Sequence, residues 1–147
     1  MIHIRIAEGI SLPVEISKLE QAVKETFQFT NAPVNSELTL VLSDDAQLHQ
    51  LNRDFLGIDA PTDVLSFPAD FTDPDSQLTY LGDILISVPG AIHQASSNQH
   101  SPQDELLLLA VHGTLHLLGF DHANDEEQTR MWSAQSQILQ KVEAGLR

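Results

Sequence analysis

Apolar and polar residues alternate at the start of the chain. Ile2, Ile4 and Ile6 fall on one side, His3 and Arg5 on the other. This period of two predicts a half-buried strand over residues 2–7. After Gly9 and Pro13 the pattern changes to that of a helix from Ser17 to Phe29, with Leu19, Val23 and Phe27 as its apolar stripe. Ser17 followed by Glu20 has the spacing of a capping box, which makes Ser17 the expected N-cap. Pro33 and Asn35 mark a loop, and Leu38–Leu42 reads as a second strand. Ser43 and Asp44 stand where they would cap a helix over about residues 45–56. Its pattern turns Leu48, Leu51 and Phe55 inward, and Gly57 closes it.

The second half begins with a short β-prone run, Val64–Phe67. Residues 69–79 are acidic and turn-rich and predict a mobile loop; Tyr80–Ser87 predicts a strand interrupted at Gly82. Pro89 suits the first turn of a helix over Val88–Ser97. Asp104–Leu118 is almost entirely apolar, so a helix there has to be buried on all sides, with Asp104 and Glu105 favouring its N-terminus through the dipole. A last amphipathic helix runs from Asn124 to Leu146, with Met131, Trp132, Ile138, Leu139 and Val142 as core contacts. The order β-α-β-α-β-β-α-α-α predicts an α/β (α+β) fold. It is a small mixed sheet with surrounding helices, the 104–118 helix packed into its middle. A chain of 147 residues without repeats or linkers is expected to form a single domain over residues 1–147.

That central helix carries the chain's candidate chemistry. Residues 111–122 read Val-His-Gly-Thr-Leu-His-Leu-Leu-Gly-Phe-Asp-His. His112 and His116 are four apart and share a helix face. A helix stop at Gly119 lets the chain reverse and return His122 to them. Three imidazoles without a fourth protein ligand describe a metal site with an open position, where catalytic metals carry water. The residues alone do not choose the ion, because imidazole suits zinc and other divalent transition metals alike. The bland alternative is a buried helix whose histidines merely pack. Asp121, beside a ligand, is either an imidazole-orienting group or a turn residue. His3, His49, His93 and His100 have no ligand spacing and are expected at the surface.

The spacing H-x-x-x-H-x-x-G-x-x-H is also that of metzincin proteases, which carry glutamate directly after the first histidine as general base. Here that residue is Gly113. Peptide hydrolysis by that mechanism therefore loses its base. A glycine inside a helix implies close approach by substrate or backbone, or tight helix packing.

Charge narrows the substrate. The formal net charge is −14, and between Arg53 and Arg130 there is no lysine or arginine but 13 carboxylates. An anionic substrate would draw on the metal, on helix N-termini, or on Arg5, Lys18, Lys24 and Arg53. Cysteine is absent, which fits a reducing compartment. The opening Met-Ile-His-Ile-Arg-Ile has no signal-peptide character, and no run of apolar residues is long enough to span a bilayer. A cytoplasmic protein without a membrane partner is expected.

The histidine string resembles the signature of the YbeY family, bacterial endoribonucleases of ribosomal RNA maturation. Three further stretches match in the family's order: Leu51-Asn52, Pro61-Thr62-Asp63-Val64-Leu65-Ser66-Phe67-Pro68, and Leu81-Gly82-Asp83-Ile84. Together they cover about half the chain, residues 51–122. The resemblance implies a four-stranded mixed sheet and one zinc ion held by His112, His116 and His122, with His112 needed for catalysis. It further implies cleavage of single-stranded RNA in small-subunit ribosomal RNA 3′-end maturation and ribosome quality control. On sequence alone Asp63, Ser66 and Asp83 are equally turn and strand-end residues; the resemblance implies that they shape the site. The expected partners are ribosomal RNA and the small subunit or its assembly factors, with no DNA. One departure is Leu56, where family members have arginine before the glycine that is Gly57 here; Arg53, one turn earlier, is either a stand-in or an exposed helix residue. A second class of function stays open: a ribosome-assembly binding factor with a mainly structural zinc. A metallohydrolase for small substrates or peptides is a weaker third.

Overall fold

The computed structural model describes residues 1–145. Its elements follow the expected order: β1 (Ile2–Ile6), α1 (Ile16–Thr30), β2 (Ser36–Ser43), α2 (Asp45–Leu56), β3 (Val64–Thr72), β4 (Thr79–Ser87), α3 (Val88–Asn98), α4 (Pro102–Leu117) and α5 (Asp125–Gly145). Leu146, the expected end of the last helix, lies outside the described residues. The sheet has four strands in the order β1-β2-β4-β3. β1, β2 and β4 are parallel, and β3 runs antiparallel to β4 at the edge. Helical crossovers join the parallel strands and cover both sheet faces, so the inner strands read as apolar runs.

Two apolar clusters define the layers. Leu38, Leu40, Leu42, Ile84 and Ile86 pack with residues of α1, α4 and α5 on one face. Leu65 and Leu85 pack with Leu48 of α2 on the other. α4 contacts α1, α3, α5, β3 and β4, which is why a nearly uninterrupted apolar segment is stable there.

Local differences from the sequence pattern have tertiary causes. The N-cap of α1 is Glu15 rather than Ser17, with no side-chain cap; Ser17 instead donates to the Glu15 carboxylate at 3.5 Å. Buried Val14 anchors the entry to α1. Phe55 does not turn inward: it is 69% exposed and lies edge-on to Phe67 at 5.9 Å. Residues 69–79 do not form a mobile loop. β3 continues through a bulge to Thr72, paired with Thr79, and a turn closes with Asp73 N–H donating to Leu78 O at 2.8 Å. Edge-strand pairing rests on backbone hydrogen bonds, which leave little trace in side-chain pattern. Gly82 stays within β4, where the pairing shifts register beside it. Trp132 is 57% exposed, while Met131, Ile138 and Val142 fill the core.

Glu105 is not a solvated N-terminal charge. It is 3% exposed, and its Oε2 has no hydrogen-bond partner among the described residues. Burial, more than the nearby Asp63 charge, pushes its carboxyl above the ordinary 4.5, with His100 opposing. The protonated form is therefore favoured by folding. That contribution is complete below pH 4.5 and is lost as pH rises through the folded-state value. Glu105→Gln should accordingly melt higher than the parent at pH 7, with the gap closing in acid, as thermal denaturation across pH will register.

Candidate metal centre

α4 is buried along most of its length apart from a half-buried strip that runs through Leu108 toward its C-terminal end. His112 and His116 sit on that strip, both half-buried. The helix stops at Leu117, and Gly119 adopts φ +97°, a left-handed conformation open to glycine. Gly119 N–H donates to His116 O at 3.1 Å and Phe120 N–H to Leu115 O at 3.0 Å, so the helix end is closed by the reversing chain. Phe120 packs against the core. Asp121 then accepts the backbone N–H of His122 at 2.7 Å and holds the turn that carries this exposed histidine.

The three rings meet. The Nε2 atoms of His112 and His116 are 3.1 Å apart, and one ligand nitrogen of each of the three histidines lies within 4.8 Å of the others. Tetrahedral zinc with nitrogen ligands places neighbouring nitrogens roughly 3.3 Å apart. The first pair already has that spacing, and the exposed ring of His122 is free to complete it. Burial, followed by neighbouring imidazoles, pushes His116 below the usual histidine range. For His112 burial leads, the Gln135 hydrogen bond opposes it, and His122 adds to the lowering. Neutral imidazole is the form that binds metal, so the donor set fits a divalent transition ion.

Gln135 of α5 is the residue the sequence did not single out. Its Oε1 accepts from His112 Nδ1 at 2.6 Å. A proton held on Nδ1 leaves the Nε2 lone pair available to a metal ion. Its signal in sequence is weak: one glutamine on an amphipathic helix 23 residues away. Gln135→Leu should weaken metal binding about 10- to 100-fold with little change in melting temperature, measured by competition with a chelator.

Gly113 packs against β4. A Cβ built there would lie 2.6 Å from Ile84 Cγ2, so the glycine allows α4 to settle onto β4. Of the alternatives for this glycine, tight packing against the sheet is the one realised. Ser66 Oγ donates to Gly113 O at 3.3 Å from the adjacent strand. Asp63 lines a cavity of about 240 Å³ with Thr62, Val64, Leu108, His112 and Gln135. Burial, and then the Asp45 charge, push its carboxyl up, while His93 pulls it down. Asp63 O also receives the Ser87 N–H at 2.9 Å, tying this segment to the start of α3.

Asp83 is not brought to the cleft. It pairs with Thr39 and Phe67 on the α2 side of the sheet and accepts from the Tyr80 hydroxyl. Asp83 falls opposite to Ile84 by strand alternation, and the bulge beside Gly82 brings Tyr80 onto the same face as Asp83. Leu56 is 53% exposed at the end of α2, and Arg53 is paired with Asp54 at 3.2 Å, so Arg53 is an exposed helix residue. The cation near the motif comes from elsewhere: Arg130 of α5 borders a cavity with Gly119, Phe120 and Asp121. His3 and His49 pair with Glu37 and Asp59, apart from the triad.

The family model described as "Endoribonuclease YbeY" matches residues 8–143. The chain belongs to the YbeY family. An endoribonuclease YbeY of Chloroflexus aurantiacus is 42% identical over 145 residues, covering 94% of this chain and 92% of its own. One from Geobacillus thermodenitrificans is 41% identical, with 85% of each chain covered. The solution structure of a Thermotoga maritima protein superposes with a TM-score of 0.64 at 29% identity, covering all of this chain and 92% of that one. The YbeY match spans every element that builds the histidine cluster, from α1 to α5. Among the described residues no helix is long and apolar enough to cross a membrane.

Proposed function

We propose that the chain is a metal-dependent endoribonuclease, its residues 1–147 forming one catalytic domain. It cuts single-stranded RNA in the cytoplasm. Its place is in small-subunit ribosomal RNA 3′-end maturation and ribosome quality control, where the small subunit or its assembly factors are its partners. The convergence of His112, His116 and His122 carries this reading, within a family whose members are named endoribonucleases. Zinc is the resident ion in this reading, held by those three nitrogens.

Bound there, the ion supplies Lewis acidity toward water and a phosphoryl oxygen. The chain's residues do the rest. His112 is the catalytic ligand, fixed by Gln135. His116 shares its helix face, and His122 closes the site from a turn braced by Asp121. Ser66 holds the backbone of α4 at Gly113. Asp63 and Thr62 wall the cavity beside His112, where an RNA strand reaches the ion. No carboxylate replaces the zincin glutamate at position 113, so this position offers no proton acceptor.

The test is cleavage of a single-stranded ribosomal RNA fragment by metal-loaded and by chelated protein. Cutting that vanishes on chelation and returns with metal supports the proposal; equal cutting by both overturns it. The second reading, a binding factor with a structural zinc, draws on exposed Leu56 and the net charge of −14. It requires RNA binding without cleavage in the loaded protein.

A further inference from the structure

A groove of about 640 Å³ runs between α4 and α5 beside the metal centre. It shares Leu108 and Gln135 with the cavity that contains His112, so the two spaces adjoin at these side chains. Its α5 wall is Trp132, Gln135, Ser136 and Leu139, which follow one another on a single helix face. Trp132 is 57% exposed there, although its amphipathic helix buries Met131, Ala134 and Ile138.

We infer that this groove is a subsite for one unpaired nucleobase of the RNA strand, with Trp132 as its stacking platform. This rests on the nuclease reading. An indole face accepts any base by stacking and needs no charge. Uncharged contacts are what this chain requires. A protein of net charge −14 gains little from releasing counterions around a polyanion. The groove repeats that balance: Lys18 is its lysine, and Asp104 and Glu143 also border it. Lys18 is moreover engaged with Gln103 Oε1 at 3.2 Å. The charge disfavours phosphate in the groove and leaves the base as the group that enters, while the phosphates stay toward solvent and the ion. Gln103, Gln135 and Ser136 supply amide and hydroxyl groups along its walls for base edges. The occupant follows from continuity, because a strand whose scissile phosphate lies at His112 has its neighbouring nucleotide at Leu108 and Gln135.

Trp132 is the chain's single tryptophan, so its emission reports on the groove alone. Metal-loaded protein is titrated with a single-stranded, phosphorothioate-linked RNA hexamer that resists cutting. Saturable quenching is expected, with affinity falling only weakly with salt, a log–log slope of about −1 or shallower. An abasic hexamer with the same backbone should leave the emission unchanged. Trp132→Ala should raise KM for cleavage of an unmodified strand about tenfold with kcat retained, and Trp132→Phe should recover most of the loss. Metal content and circular dichroism verify that both variants fold. Quenching by the abasic strand, or an unchanged KM in Trp132→Ala, overturns the subsite. Cleavage without quenching sinks the groove and spares the nuclease reading, and would leave this surface to a protein partner. Quenching without cleavage does the reverse.

Discussion

His122→Ala should lose metal binding and lower RNA cleavage by about a thousandfold or more, while its melting temperature in chelator should stay that of the parent. The reason is the position of this residue. His122 is exposed on the turn after α4 and fills no part of the core, so truncating it leaves no cavity. Two imidazoles remain, 3.1 Å apart on one helix face, too few for a closed ligand set. His112→Ala and His116→Ala should match it in activity but also lose some packing, because both rings are half-buried. Metal analysis, cleavage and melting on the three variants separate chemistry from folding. Full activity in a His122→Ala protein that carries no metal would remove the basis of the proposed function. Loss of stability in step with metal, with RNA binding intact and no cutting in the parent, would favour the binding factor.

The other large effect is expected at Gly113. By helix propensity alone, Gly113→Ala should stabilise a helix interior by about 1 kcal/mol. The packing reverses the sign. A methyl group 2.6 Å from Ile84 Cγ2 forces α4 off β4 or distorts a β-branched side chain, and overpacking of this kind costs about 1–3 kcal/mol. Displacing α4 also strains the Ser66–Gly113 contact and shifts His112. Gly113→Ala should therefore melt lower and bind metal more weakly, and Gly113→Glu should fail to fold rather than acquire zincin activity. Relief on combining Gly113→Ala with Ile84→Ala, measured as a double-mutant cycle in denaturant, assigns the loss to this contact. Additive losses would place its cause elsewhere.

This position also corrects how the histidine string compares with the protease pattern. Helix geometry sets position 113 about 80° around α4 from the midpoint of the two histidines in either pattern; what differs is what lies beside it. In this fold the sheet lies against the 113 side of α4, so position 113 has no room for a side chain. The missing glutamate is thus a consequence of helix docking.

The order of elements, the buried central helix and the three histidines are legible in the amino-acid sequence alone. Each depends on local rules: residue period, caps and stops such as Gly119, and the four-residue repeat that puts His112 above His116. The mixed sheet was legible in part, because helical crossovers oblige parallel pairing. Tertiary packing set the full length of β3, whose pairing lies in backbone hydrogen bonds, and the exposure of Phe55 and Trp132 on helices that look amphipathic. It alone brought Tyr80 onto the face of Asp83 through a one-residue bulge, and buried Glu105 in spite of its charge. Gln135 reaches His112 across 23 residues, and Ser66 meets Gly113 across 47. Such contacts depend on how helices dock on the sheet, a summed outcome of many weak packing terms that no short window of residues encodes.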